Sequence, residues 1–196
     1  RQAFLDAENA KNEGYYFIHP FDGPLTLQGS ATLGLEIVEY LKSINTNIDN
    51  LLISVGGGGL ISGVSSYIKQ FYPKIKIIGV EPENANGLNQ SLRANKPLNN
   101  VNVNSIADSL SAPLHMQYSF DVAKEVIDEM VTVSDDQMKK FMVFCYKKFK
   151  LFLEPACVAG LAALKYKINN KLIGKNTMVI LCGSNIDKKT WSDLTN

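Results

Sequence analysis

Four consecutive glycines, Gly56 to Gly59, stand between an apolar run and a helix-like pattern in the stretch LLISVGGGGLISGVSSYIKQF. The N-terminus of a helix offers unpaired backbone N–H groups and a partial positive charge, and both attract a phosphate group. Glycines allow the backbone to approach that group because no Cβ stands in the way. The alternative is a tightly packed turn between a strand and a helix, but four glycines in a row favour phosphate binding.

This glycine run differs from two common nucleotide-binding motifs. A Walker A loop requires GxxxxGK[ST], and a dinucleotide-binding fingerprint requires GxGxxG. No register of residues 56–63 supplies either pattern. The sequence therefore predicts a compact phosphate-bearing cofactor that backbone amides hold.

The elements around the glycines alternate between strands and helices. LLISV (51–55) and KIKIIGV (74–80) predict buried strands, and apolar residues at helical spacing predict a helix between them. Apolar strands separated by helices predict an α/β fold, in which a parallel twisted sheet has helices on both faces. The remaining predictions are short strands at 15–18, 130–133 and 176–182, and helices at 27–41, from the capping box of Ser134 and Gln137 to Phe149, and from Pro155 onward.

Charges, cysteines and histidines exclude several classes of function. Lys and Arg number 20 against 19 Asp and Glu, without blocks of like charge or a long apolar run, so neither nucleic acid nor a membrane is an expected partner. Cys145, Cys157 and Cys182 are odd in number and widely spaced, which favours a reducing cytoplasm. His19 and His115 are too far apart in sequence to suggest paired metal ligands, and His115 is interpreted as a hydrogen-bonded structural residue.

Six segments carry a resemblance to one family. They are FIHPFDGPLTLQGSATLGLEI, SVGGGGLISG, IIGVEPENA, SIADSLSAP, FLEPACVAGLAAL and VILCGSNID, in the expected order between Phe17 and Asp187. Together they resemble the pyridoxal-phosphate enzymes of the tryptophan-synthase-β group (fold type II), in particular the threonine and serine dehydratases and serine racemase. The resemblance implies pyridoxal 5'-phosphate as cofactor, a small amino acid as substrate and a homodimer.

The resemblance also implies roles for residues around the cofactor. Cys182 is expected beside the pyridine nitrogen and Glu154 near the ring, while Ser109 stands where dehydratases usually have glycine. A thiol holds that nitrogen protonated less well than a carboxylate does, which suits elimination of a β-hydroxyl group. The alternatives are a small residue ending a strand for Cys182 and a first-turn helix carboxylate for Glu154. The residues expected to bind the phosphate are Gly56, Gly57, Gly58, Gly59 and the amide of Leu60.

A cation site is implied next to the second strand. In the family a glutamate at the position of Glu81, with a carbonyl such as that of Ala85, helps to bind a cation. Asn86 and Gly87 stand where metal-binding relatives have a further carboxylate. Because tight divalent sites need several oxygen ligands, K⁺ is expected more readily than a divalent cation. The alternative is an exposed glutamate at the end of a strand.

One family feature is missing from the sequence. The Schiff-base lysine of the family lies in an S-x-K-x-R-like segment, which does not occur here, so no catalytic residue is assigned in this chain. We interpret residues 1–26 as the end of the crossover from a small domain and residues 27–196 as the large, phosphate-binding domain. The small lobe with the lysine is expected upstream of Arg1, and this chain alone is expected to be inactive.

The resemblance implies a threonine or serine ammonia-lyase, which converts a β-hydroxy amino acid into a 2-oxo acid and ammonia. A serine racemase and a β-replacement enzyme are alternatives within the family. A non-catalytic domain that binds a phosphate ligand is the alternative from another class. The sequence leaves the choice between threonine and serine open.

Overall fold

The protein is built on one parallel sheet of strands Asn50–Ser54 (β1), Lys76–Pro82 (β2), Glu129–Val133 (β3) and Thr177–Val179 (β4). The computed structural model describes residues 2–195, and the strands lie in the order β3-β2-β1-β4. In the register of β1, Leu52 lies opposite Ile78 on one side and Val179 on the other. Because all strands run in the same direction, their carboxyl ends meet at one edge, where α/β proteins bind ligands.

Helices cover both faces of this sheet. They are Gln2–Asn12 (α1), Pro24–Ser43 (α2), Gly59–Phe71 (α3), Gly87–Ala94 (α4), Gln117–Val126 (α5), Asp135–Phe149 (α6), Pro155–Tyr166 (α7) and Lys188–Thr195 (α8). None of these helices, within residues 2–195, is long and apolar enough to cross a bilayer. The predicted fold class, a parallel sheet between layers of helices, is confirmed.

Strand β1 shows why the middle of a central strand is apolar, here residues 51–53. Leu52 packs with Met142 and Ala159 from α6 and α7, on one face of the sheet. Leu51 and Ile53 point to the opposite face, where α2, α3 and α5 pack. A strand with both faces buried favours apolar side chains, which is the pattern of a central parallel strand.

Most predicted elements are confirmed, with shifts at their ends. The capping box is present, because the Ser134 hydroxyl accepts from Gln137 N at 3.3 Å and Ser134 N donates to Gln137 Oε1 at 3.1 Å. Pro155 occupies the first turn of α7. Helix α2 begins at Pro24, three residues before the predicted start at residue 27.

The strand predicted at residues 15–18 is wrong. These residues form no strand, and Tyr15, Tyr16 and Ile18 are exposed. Apolar composition alone does not make a strand, since a strand also needs a neighbour that pairs with its backbone. Helices α1, α4, α5 and α8 were not predicted from the sequence.

Helices α2 and α3 approach each other through glycines. A Cβ at Gly34 would lie 2.8 Å from the carbonyl oxygen of Val64, and a Cβ at Gly63 would overlap the carbonyl oxygen of Leu27. The missing side chains let two backbones pack at a distance that alanine does not permit. This contact places the start of α3, and with it the glycine run, against the segment that precedes α2.

We expect Gly63→Ala to lower the free energy of unfolding by about 1 to 3 kcal/mol, because the added methyl group overpacks the α2–α3 contact. Gly29→Ala is the matched control, since Gly29 is an exposed helical glycine with no atom within 4 Å of its Cβ position. The control should gain about 0.5 to 1 kcal/mol from the higher helix propensity of alanine. Chemical denaturation measures both values, and equal effects of the two substitutions would contradict the packing argument.

Candidate functional site

A cleft of about 620 Å³ opens at the carboxyl edge of the sheet. The glycine run forms one part of its lining, and the rest includes the end of β1, residues 108–110 and the loops before α2, before α7 and after β4. Residues from sequence segments that are more than 150 positions apart therefore meet in one place. Its lining includes Phe21, Ser54, Val55, Gly56 to Ile61, Asp108, Ser109, Glu154, Ile180, Cys182, Gly183 and Asn185.

The glycine run begins helix α3 and presents its amides to the cleft. Gly58 is the N-cap residue and has a φ of 92°, in the left-handed region that glycine adopts without strain. Within residues 2–195, the amides from Gly57 to Leu60 donate no hydrogen bond to another protein group. Such unpaired amides at a helix N-terminus form a binding site for an anion.

The glycines are also needed for packing. A Cβ at Gly57 would overlap the ring of Phe21, and a Cβ at Gly59 would lie 2.7 Å from the Phe21 carbonyl oxygen. On the other side, a Cβ at Gly56 would lie 2.9 Å from the carbonyl oxygen of Ser109. The tightly packed turn of the alternative interpretation is therefore present, and phosphate binding by the amides of the run stays a prediction.

Glu154, Ser109 and Cys182 come together, as the resemblance implies. Glu154 is the N-cap residue of α7, and the Ser109 hydroxyl donates to its Oε1 at 2.9 Å. The backbone N–H of Glu154 donates to the carbonyl of Gly183 at 3.3 Å, which brings the loop after β4 to the same point. Cys182 precedes Gly183 and is exposed, so its thiol is accessible.

A second cysteine lies behind this group. Cys157 is buried in α7, and burial raises the pKa of its thiol to about 12, with smaller contributions from Cys182 and Glu154. A thiol with such a pKa stays protonated near neutral pH and behaves as a small apolar group. Cys182 is therefore the cysteine of this pair that is available to a ligand.

Glu81 lies at the end of β2 and is buried, with 1% of its surface exposed. Its Oε1 accepts from Leu88 N at 2.8 Å, and its Oε2 accepts from Asn89 N at 3.0 Å. The carboxyl group therefore satisfies two orphan amides in the first turn of α4, so the alternative of an exposed glutamate is wrong. Burial raises the pKa of Glu81 to about 8, against the two amide hydrogen bonds, which lower it.

The cation site stays a prediction. Ala85, the other expected ligand, is buried in the turn after β2. No group of three or more His, Cys, Asp or Glu side chains gathers in the described part of the chain. The contacts of Glu81 give it a structural function that does not require a cation.

Two histidines border the site. His19 Nδ1 accepts from Phe21 N at 3.3 Å and so shapes the turn that packs on the glycines. His115 is buried, and its Nε2 lies 3.1 Å from the carbonyl oxygen of Gly56. No local sequence pattern indicates this contact, since 59 residues separate the two partners.

The family is shown by a match over nearly the whole chain. Residues 2–183 match the model of the family described as "Pyridoxal-phosphate dependent enzyme". The chain belongs to this family. Its cofactor is pyridoxal phosphate, and the unpaired amides from Gly57 to Leu60 provide the donors that a phosphate group requires.

Curated relatives are dehydratases. Phenylserine dehydratase of Ralstonia pickettii is 40% identical over 180 residues, which are 92% of this chain and 54% of that protein. The catabolic L-threonine dehydratase of Escherichia coli is 32% identical over 190 residues, 96% of this chain and 56% of that protein. The chain thus spans about half the length of the curated relatives it matches.

Solved structures give the same family. Threonine deaminase isoform 2 of Solanum lycopersicum, in its processed form, matches with a TM-score of 0.87 and 34% identity, over 96% of this chain and 54% of that one. Maize serine racemase matches with a TM-score of 0.84 and 28% identity, over 98% of this chain and 58% of that one. Fold type II, expected from the sequence, is confirmed.

We expect Glu81→Gln to lower the free energy of unfolding by about 1 to 3 kcal/mol at pH near 5, because glutamine accepts with one oxygen where Glu81 uses two. The stability that Glu81 itself contributes is fully present below pH 4.5 and is lost as the pH rises towards 8, since the folded state raises its pKa from 4.5 to about 8. The difference between wild type and variant should therefore shrink with rising pH. Urea denaturation at several pH values measures it, and a widening difference would show that the two amides favour the ionised carboxylate.

We expect Gly183→Ala to weaken binding of pyridoxal phosphate about 10-fold or more, because overpacking costs about 1 to 3 kcal/mol. The added Cβ would lie 2.5 Å from Glu154 Oε1. Gly174→Ala is the matched control, since Gly174 also has a positive φ but has open space around it. Fluorescence titration of the full-length protein with the cofactor distinguishes the two, and equal losses would assign the effect to backbone strain alone.

Proposed function

We propose that the protein is a pyridoxal-phosphate-dependent ammonia-lyase that converts a β-hydroxy amino acid into a 2-oxo acid and ammonia. The observation that carries this proposal is the cleft, which joins unpaired helix amides to Cys182 and the Glu154–Ser109 pair. The dehydratase names of the relatives support the reaction type. The substrate class in this proposal is a small amino acid with a hydroxyl group on Cβ.

Each part of the cleft has a distinct function in this proposal. The amides of Gly56, Gly57, Gly58, Gly59 and Leu60 bind the phosphate and fix the position of the cofactor. Pyridoxal phosphate, when bound, supplies an electron-accepting ring that stabilises negative charge formed at the Cα of the substrate. The protein thus fixes the substrate atoms relative to that ring, which is a contribution of orientation.

Cys182 and Glu154 adjust the surroundings of the cofactor ring. We assign Cys182 to a position beside the ring nitrogen. A thiol there keeps that nitrogen protonated less well than a carboxylate would. Glu154 is held by the hydroxyl of Ser109, so its carboxyl group has a defined orientation. This combination favours a reaction in which the β-hydroxyl group leaves, because departure of that group relieves the negative charge.

The lysine of the reaction is proposed to lie outside this chain. No lysine is among the described residues that line the cleft, and the chain spans about half of its relatives. In this proposal residues 1–26 end the crossover from the small domain, residues 27–196 form the large domain, and the protein with both lobes is a cytoplasmic homodimer. The free thiols of Cys145, Cys157 and Cys182 support the reducing compartment.

Two alternatives concern the substrate and the outcome. The relative with 40% identity is named for phenylserine, so an aromatic hydroxy amino acid stands beside threonine and serine as a candidate. Serine racemase of maize is also similar in structure, and racemisation is the alternative outcome at the same carbon atom.

The test is an assay of the full-length protein with L-threonine, L-serine and 3-phenylserine. We expect ammonia and the matching 2-oxo acid in equal amounts, with turnover that depends on added pyridoxal phosphate. Chiral chromatography of the remaining serine identifies a racemase. Recovery of D-serine without ammonia, or no turnover of any of the three substrates, would contradict the lyase.

Borohydride reduction tests the position of the lysine. The reagent fixes pyridoxal phosphate to its lysine, and mass spectrometry of peptides locates the label. We expect the labelled peptide outside residues 1–196. A label on a lysine within these residues would contradict the proposal that this chain lacks the catalytic amine.

A further inference from the structure

We propose that His115 is a positioning residue that holds the phosphate-binding loop in its binding conformation through the carbonyl group of Gly56. The inference rests on the proposed function of that loop. It concerns a residue that does not touch the reacting atoms and that lies in a separate part of the sequence.

The imidazole ring of His115 is firmly placed. Only 4% of the residue is exposed, and its backbone N–H donates to the carbonyl of Leu98 at 2.7 Å. Gly87, at the start of α4, packs against the ring so closely that a Cβ there would lie 2.6 Å from Cε1 of His115. Helix α4 is in turn anchored by Glu81, so the ring rests against a fixed support.

The contact with Gly56 defines the tautomer of the ring. A carbonyl oxygen only accepts, so Nε2 must carry the hydrogen in the 3.1 Å contact. The other nitrogen, Nδ1, is buried and has no partner in the described part of the chain. A proton on Nδ1 would be a buried donor without an acceptor. Burial lowers the pKa of His115 below its ordinary value, which also favours the neutral ring. The ring is therefore neutral and donates from Nε2.

This hydrogen bond determines the orientation of a peptide group in the loop. In a trans peptide the carbonyl of one residue and the N–H of the next point in opposite directions. Because His115 holds the Gly56 carbonyl, the N–H of Gly57 must point away from the ring, and Gly57 lines the cleft. Glycine has wide freedom in φ and ψ, so a peptide between two glycines needs such an external partner to keep one orientation.

The segment that leads to His115 also contacts Gly56 from another side. The backbone of Ser109 and Leu110 lies so close to Gly56 that a Cβ there would be 2.9 Å from the Ser109 oxygen and 3.1 Å from the Leu110 Cα. Residues 109–115 thus contact the first glycine through van der Waals packing at one end and through a hydrogen bond at the other. Packing limits where Gly56 lies, and His115 determines how its peptide is turned.

The experiment compares three variants of the full-length protein. His115→Leu removes the donor, and His115→Asn keeps a polar side chain that ends short of Gly56. His115→Gln places an amide N–H at the reach of Nε2. We expect the first two to bind pyridoxal phosphate about 10-fold more weakly than wild type, the effect of one buried hydrogen bond, and glutamine to restore binding to within about 2-fold.

Equilibrium dialysis with pyridoxal phosphate and with inorganic phosphate provides the affinities, and circular dichroism verifies that each variant is folded. Hydrogen exchange of the peptide that contains residues 56–60 should be faster in His115→Leu and His115→Asn than in His115→Gln. Equal cofactor binding by wild type and His115→Leu, or equal losses in all three variants, would overturn the inference alone. A wild-type protein that binds no pyridoxal phosphate would contradict the proposed function, and the inference with it.

Discussion

The close approach of two chain segments, the one around Phe21 and residues 109–115, to the glycine run is the constraint on which the rest of the site depends. Phe21 lies so close to Gly57 and Gly59, and Ser109 so close to Gly56, that side chains at these glycines would leave no room for them. His115 contacts the carbonyl oxygen of Gly56. The glycines are therefore needed less for flexibility than for the space that their missing side chains leave. The residues of the first turn of α3, from Gly59 to Ile61, line the cleft beside these segments.

Two carboxyl side chains, those of Glu81 and Asp22, stabilise the elements that pack around the glycine run. Glu81 anchors the first turn of α4, and α4 carries the glycine that packs on the ring of His115. Asp22 accepts from the N–H of Ser119 at 2.7 Å and joins the loop before α2 to the start of α5. These acceptors, of which Glu81 is buried and Asp22 half-buried, satisfy helix amides that would otherwise lack partners, so the packing around the glycine run costs little in lost hydrogen bonds.

Family membership and site geometry together give the functional conclusion. The match over residues 2–183 identifies the cofactor, and the cleft is where we propose that this chain binds it. Cys182 and the Glu154–Ser109 pair lie at the same edge of the sheet as the glycine run, because all four strands are parallel. A parallel sheet thus collects residues from distant segments at one edge without any local sequence signal that links them.

The sequence by itself determined the fold class, the central strands and helices α2, α3, α6 and α7, and it predicts that the glycine run binds phosphate. These features depend on local patterns, namely apolar runs, helical periodicity, a capping box and a first-turn proline, and such patterns act over a few residues. The residues that the resemblance implied for the cofactor also come from contiguous segments, so they could be assigned before their positions in space were known.

Only the tertiary structure decided the remaining features. Helix α4 has eight residues, and the buried carboxyl group of Glu81 caps it from the end of a strand. Short helices have little stability of their own. Helix α4 depends on the carboxyl group of Glu81, which lies outside the helix, so a local helical pattern does not predict it. Tyr15, Tyr16 and Ile18 are exposed, and no strand pairs with residues 15–18. The hydrogen bond between His115 and the carbonyl of Gly56 joins residues that are 59 positions apart, so it exists only after the chain has folded.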